Sequence, residues 1–135
     1  MRFLASGPAD PTLTPVRILE TPDKPIRDIA VSADGSIFTF DYSEYRIKKF
    51  DPAGKFLLEF GGPGTGEGQF THLTGIGAFG GKLLAVDSVG LLTFDLNGRF
   101  LGKNAFPEEV TPNYSRVFED GRYVGELIVA PELKA

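Results

Sequence analysis

The chain contains no cysteine, no tryptophan and a single histidine, His72, in 135 residues. Without cysteine there is no disulfide, no thiolate nucleophile and no cysteine-bearing zinc site. One histidine cannot build a histidine-rich metal centre, so any metal would have to rest on carboxylates, which suit Ca2+ or Mg2+. Long apolar runs are missing too: none approaches the roughly 20 residues that a helix needs to span a bilayer. Met1 to Ser6 holds one Arg and a three-residue apolar stretch, too short for the core of a secretory signal. Compartment is left open, either cytoplasmic or, with a truncated N-terminus, secreted or periplasmic. Basic residues are outnumbered 14 to 18, and a net charge of −4 disfavours general binding to phosphate backbones. Neither a nucleic acid nor a membrane is expected as partner.

What is abundant is punctuation. The 17 glycines make about 13% of the chain, against an average near 7%. Together with 10 prolines they argue for short strands and tight turns over long helices. A hydrophobic share of 41% is enough to form a packed core.

A repeat of about 44 residues runs through the chain. Phe50, Asp51, Gly54 and Phe56 recur as Phe94, Asp95, Gly98 and Phe100, each 44 residues on. Upstream, Gly35 and Asp41 recur as Gly81 and Asp87, each 46 on. A third, partial copy begins near Asp120-Gly121, 86 residues after Asp34-Gly35. Within the first copy, strands are expected at Ile29–Val31, Ile37–Phe40, Tyr45–Phe50 and Phe56–Phe60. Between strands stand Asp34-Gly35, Gly80-Gly81 and Asn97-Gly98, dipeptides of the kind that type I′ hairpin turns require, with Ala53-Gly54 a near-match. Four antiparallel strands every 40–50 residues describe a β-propeller blade. The fold class is therefore all-β, built of four-stranded antiparallel meanders.

The run from Asp41 through Tyr45-Arg46-Ile47 to Phe50-Asp51, then Gly54-Lys55-Phe56, Gly61 and Gly66-Glu67-Gly68-Gln69-Phe70, resembles an NHL repeat. That family's pattern has an Asp closing the second strand, Arg-Ile opening the third, Phe-Asp, a Gly-Lys/Arg turn and a Gly-rich link ending in Gln-Phe. The second copy departs from it, with Gly90 where Arg46 stood and a shorter loop after Asp87. The resemblance covers residues 28–106 well and 115–130 weakly. It implies a six-bladed propeller.

Six blades need far more chain than this. The division expected is an N-terminal arm with an outer strand at 1–27, a first blade at 28–73, a second at 74–110 and a partial third at 111–135. The ring is thus incomplete in a single chain. Three explanations stand: a fragment of a longer protein, a homo-oligomer that completes the ring, or a compact domain that does not close.

In a meander, alternate loops emerge on one side, so the tight turns share one rim and the longer loops 41–45, 61–74 and 87–90 share the other. Tyr42, Tyr45 and Arg46, with His72 beside them, are the candidate binding residues there, since Tyr and Arg are common interface anchors. Alternatively, Tyr45 and Arg46 only begin a strand and pack on the neighbouring blade. No catalytic set and no metal ligands are assigned, and no cofactor is expected. Gly75-Ile76-Gly77-Ala78-Phe79-Gly80 spells a dinucleotide fingerprint, but a hairpin turn follows where a helix must open. Gly61 to Glu67 loosely resembles a phosphate loop, yet Glu67 stands where that loop needs Lys. Asp41 and Asp87 at equivalent blade positions are more readily explained as acceptors for backbone N–H groups than as metal ligands. The expected function is a non-catalytic binding or scaffold module with a protein partner. The alternative is part of a metal-dependent lactonase- or lyase-like propeller enzyme.

Overall fold

The computed structural model describes residues 2–4, 17–19, 25–107, 110–117 and 123–129, with side chains over 25–107. Twelve strands run through them: β1 (Arg2–Leu4), β2 (Arg17–Leu19), β3 (Ile26–Val31), β4 (Ile37–Asp41), β5 (Arg46–Phe50), β6 (Phe56–Gly61), β7 (Leu73–Phe79), β8 (Lys82–Asp87), β9 (Gly90–Asp95), β10 (Phe100–Ala105), β11 (Val110–Val117) and β12 (Tyr123–Val129). Strands β3 to β6 form one antiparallel sheet in chain order, and β7 to β10 form a second. Two two-stranded sheets, β1 with β2 and β11 with β12, precede and follow them in the chain. No helix occurs among the described residues. β7 lies alongside β3 on one side and alongside β11 on the other, so successive sheets stack through their first strands. The fold is all-β and propeller-like: two whole four-stranded blades, with no closed ring or barrel among the described residues. A strand is present near residue 17, as β2. Its partner β1 carries no signal in the sequence. The expected third-copy turn at Asp120-Gly121 lies outside the described residues.

The turns differ from the sequence-based expectation in a way that explains the repeat. Only Gly80-Gly81 has positive φ at both central residues, +58° and +72°, as a type I′ turn requires. At the other three dipeptides only the glycine is positive: Gly35 at +85°, Gly54 at +91°, Gly98 at +84°. Each closes a three-residue loop. The Gly54 N–H donates to the Asp51 carbonyl at 2.9 Å and the Asp51 N–H to the Lys55 carbonyl at 2.8 Å. Gly98, Asp95 and Arg99 repeat this at 3.1 and 2.9 Å. The aspartate side chain selects this form. Asp51 Oδ1 accepts from the N–H of Ala53 and Lys55, and Asp95 Oδ1 from those of Asn97 and Arg99. A two-residue turn offers no such pair of donors. The recurring Phe-Asp-x-x-Gly is therefore a strand end, a carboxylate that holds the turn and a residue free to take left-handed φ.

The blades pack face to face. Phe38, Phe40 and Ile47 of the first blade meet Ile76, Leu83, Ala85, Leu92 and Phe94 of the second, with Phe70 and Leu73 closing one end, all buried. The Phe94 ring centre lies 5.1 Å from Phe60, 5.9 Å from Phe70 and 5.8 Å from Phe100. Fully burying each such side chain contributes about 1.5–3 kcal/mol. Polar groups stitch the same seam. The Ile76 N–H donates to Asp28 at 3.1 Å, and Lys49 Nζ donates to Asn97 Oδ1 at 3.3 Å.

The repeat is also physical. Phe50 pairs with Ile37, as Phe94 pairs with Leu83. Since side chains alternate along a strand and Phe38 faces the second blade, Ile37 and Phe50 face away from it. Each phenylalanine thus looks towards the preceding blade position. Each makes an edge-on contact with the next strand's first residue, Phe50 with Phe56 at 5.9 Å and 73°, Phe94 with Phe100 at 5.8 Å and 70°.

Carboxylates in these turns tie stability to pH. The Ser32 hydroxyl, followed by hydrogen bonds from Ser36, holds Asp34 down from 3.8 to about 2. The Arg99 N–H, aided by Asn97, lowers Asp95. Burial pushes Asp41 up, but hydrogen bonds from Ser43 and Glu44 outweigh it and the net shift is downward. A carboxylate whose folded pKa is depressed stabilises the fold above its unfolded value, and that contribution fades as pH falls through the folded one. The urea midpoint should therefore be flat down to about pH 4 and fall between about pH 4 and 2. Asp34→Asn should make the fall shallower. An unchanged acid limb in that variant would contradict the assignment.

Candidate functional site

The long-loop rim of the first blade carries a cluster of rings. Tyr42 and Tyr45 lie in the β4–β5 connection, and His72 sits in the link before β7. Tyr45 Oη is 3.1 Å from His72 Nδ1. The Tyr45 ring meets the imidazole at 6.0 Å and 71°, and the Tyr42 ring meets it at 6.4 Å and 30°. Beneath, Tyr42 stands edge-on to buried Phe40 at 6.4 Å. Arg27, on β3, places its guanidinium carbon 4.6 Å from the Tyr42 ring centre, a cation–π arrangement. Tyr42 and His72 are exposed, while Tyr45 is half-buried and packs against the core between the blades. When the phenol donates to Nδ1, the imidazole keeps its proton on Nε2 and offers a donor there.

Two devices hold the cluster in place. Tyr45 has φ +50°, the one non-glycine residue with positive φ among those described. A bulky residue there is strained, at a cost of about 1–3 kcal/mol. The Gly62 N–H donates to its carbonyl at 2.8 Å. The second device is Asp87, fully buried, whose carboxylate accepts from the N–H of Thr71 at 3.1 Å and of His72 at 2.7 Å. Asp41 accepts from the N–H groups of Ser43 and Glu44 and from the Ser43 hydroxyl at 2.7 Å. Both aspartates thus serve as backbone acceptors, although in different ways. Asp41 holds its own loop, whereas Asp87 reaches from the second blade to the link.

Three of the four candidates, Tyr42, Tyr45 and His72, come together. Arg46 turns elsewhere: its guanidinium lies 3.8 Å from Glu59 on the neighbouring strand, both side chains partly exposed, a pair worth little. At Gly90, the counterpart of Arg46, a Cβ would stand 2.6 Å from the Asn104 carbonyl oxygen. No side chain fits there without parting β9 from β10, which accounts for the second copy's departure from the motif. Gly90→Ala should lower stability by about 1–3 kcal/mol in urea denaturation, and Arg46→Ala by no more than about 0.5 kcal/mol. Equal losses would overturn this comparison. Arg27 was invisible to sequence reasoning, because it precedes the motif and meets Tyr42 only through strand pairing of β3 with β4.

Across the link from the rings lies a shallow groove. Gly64 to Gln69 and Thr71 form one wall, with Val89, Leu92, Phe100 and Lys103 opposite. Gln69 holds that wall by accepting from the Gly66 N–H at 2.9 Å. No group of three or more His, Cys, Asp or Glu side chains that could hold a metal occurs among the described residues.

Stacked four-stranded meanders with a ringed loop rim define a β-propeller-like protein. No family model and no curated protein matches the chain. Among solved structures it is similar to a Bacteroides fragilis protein described as "Putative exported protein", with 19% identity and a TM-score of 0.55 over 82% of this chain. The match spans only 31% of that protein, and at this identity it speaks to the fold alone. A computationally designed protein, Ika4, aligns over 87% of the chain and 99% of its own length, at 12% identity and a TM-score of 0.37, too low to carry an argument.

Proposed function

We propose that the chain is a non-catalytic binding module of propeller type that takes a protein partner on its long-loop rim. The observation that carries this reading is the exposed Tyr42–His72 pair, fixed by Arg27, Tyr45 and the buried Asp87 carboxylate. Tyrosine contributes large contact area at little entropy cost, and a pre-ordered pair loses less on binding. The groove beside it, with half-open Val89 and the wall of Gly64–Gln69, extends the same surface. The NHL-type reading of the repeat belongs to this proposal. It is supported by the roles of Asp51, Gly54 and Gly61, the last of which has φ +93° and lies tight against the Phe70 ring.

Peptides selected from a displayed library on the wild-type chain test the reading. Their affinity should fall at least about tenfold for Tyr42→Ala and His72→Ala and hold for Lys82→Ala on the opposite rim. Peptides that bind Tyr42→Ala as well as wild type would place recognition elsewhere.

A further inference from the structure

We propose that the groove between the 64–69 link and β10 receives the C-terminus of a partner polypeptide, with the last residue's apolar side chain on the groove floor and its free carboxylate at Lys103. This names the feature that the partner presents, and it rests on the reading of the chain as a binder of protein partners.

The floor and the cation come from one face of the second blade. Leu92 and Phe100 lie on the side that packs towards the first blade. Lys103 pairs with Leu92 in the β9–β10 register, so the two side chains stand next to each other on that face, with Cβ atoms about 5 Å apart. Leu92 is buried, Phe100 is half-buried, and Val89, also lining the groove, is 38% exposed. Lys103 is exposed, and among the described residues no carboxylate pairs with it. A ligand that meets both must therefore carry an apolar group and an anion close together. The last residue of a polypeptide does this most compactly, since its side chain and its carboxylate share one Cα.

The opposite wall supplies hydrogen-bond donors. The link is braced by its own bonds: the N–H groups of Gly64 and Phe70 donate to the Phe70 and Gly62 carbonyls at 3.0 and 2.9 Å, and the Gly66 N–H donates to the Gln69 side chain. A Cβ at Gly64 or Gly66 would run into that same Gln69 oxygen, so the wall closes tightly over the glutamine and the groove is preformed. The N–H groups of Thr65, Glu67 and Gly68, by contrast, make no hydrogen bond among the described residues. Gly68 is buried, and a Cβ there would lie 3.5 Å from Phe100. An unpaired backbone donor on a buried residue is uncommon in a folded chain. Backbone donors of this kind are a recurrent receptor for a terminal carboxylate. Glu67, exposed on the same wall, carries the charge opposite to that of Lys103. It disfavours an acidic residue upstream of the terminus and suits Lys or Arg there.

An array of synthetic heptapeptides of random sequence, each made once with a free C-terminus and once as the amide, tests this on the 135-residue chain. The bound peptides should end in Leu, Ile, Val or Phe, and their amides should bind at least about tenfold more weakly. Lys103→Met changes an exposed side chain and should keep the wild-type urea midpoint. It should bring acid and amide within about twofold of each other. Acids and amides bound alike, bound peptides with polar or acidic last residues, a preference for the acid that survives Lys103→Met, or no binding by any free-terminus peptide would each overturn the proposal. Tyr42→Ala separates it from the rim reading. Peptides weakened by Tyr42→Ala but indifferent to amidation would leave the rim standing and remove the groove. Peptides that need the free carboxylate and ignore Tyr42→Ala would keep the groove and move recognition away from the rings.

Discussion

Phe94→Ala should lower the free energy of unfolding by about 3–5 kcal/mol, the range for removing a buried aromatic ring from a packed core. The ring is 1% exposed and meets three other phenylalanines, from β6, the inter-blade link and β10. Truncation opens a cavity bordered by both blades, and the surrounding strands can collapse into it only by giving up register. Phe56→Ala is the informative comparison. Phe56 is the counterpart of Phe100, makes the same edge-on contact with its own blade's phenylalanine, and is 48% exposed. Its loss should cost no more than about 1 kcal/mol in the single chain. Urea denaturation followed by far-UV circular dichroism measures both. Similar losses at the two positions would mean that Phe94 does not sit between two blades.

Asp87→Ala should cost about 2–4 kcal/mol and also disturb the ring cluster. Its carboxylate is fully buried and accepts the N–H groups of Thr71 and His72. Hydrogen bonds to a charged acceptor are worth about 1.5–3 kcal/mol, and a buried donor left without a partner costs a further 1–3 kcal/mol. Asp87→Asn keeps one acceptor oxygen and should lose about half as much. Besides stability, the His72 ring resonances in a two-dimensional NMR spectrum report on the rim. Asp87→Ala should shift them, while Asp95→Ala, on the opposite rim, should not. An Asp87→Ala chain with wild-type stability and unmoved His72 resonances would remove the carboxylate from its assigned role.

Much of the architecture was legible because one physical device is written twice. Phe50-Asp51 and Gly54, repeated as Phe94-Asp95 and Gly98, encode a buried strand end, a side-chain acceptor and a left-handed turn residue within five positions. Local rules of this kind fix turns and hence strand ends, and four strands per period follow. The turn type was not legible from the dipeptides alone. Asn97-Gly98 suits a type I′ turn in isolation, but Asp95 offers two backbone bonds that only the longer loop can use. Gly80-Gly81, with no carboxylate before it, takes the I′ form.

The candidate site was legible in part for the same reason. Tyr42, Tyr45 and His72 share a rim because the meander puts alternate loops at one end, an argument from topology. Arg46 sits at the first residue of β5, where strand pairing with Gly61 and the proximity of Glu59 turn it along the sheet. Its direction depends on a cross-strand neighbour that no spacing rule reveals. Arg27 and the left-handed φ of Tyr45 are likewise consequences of tertiary pairing. Asp87 showed as a recurring residue, yet its reach to the link rests on the packing of two separate elements.

The account turns on two equivalent sheets stacked through one aromatic seam. A nuclear Overhauser spectrum of the phenylalanine-labelled chain tests this most directly. Cross-peaks should join the Phe94 ring to Phe60 and Phe70 of the preceding segment, and the Phe50 ring to Phe56. Cross-peaks from Phe94 confined to its own sheet, with none to Phe60, would contradict it.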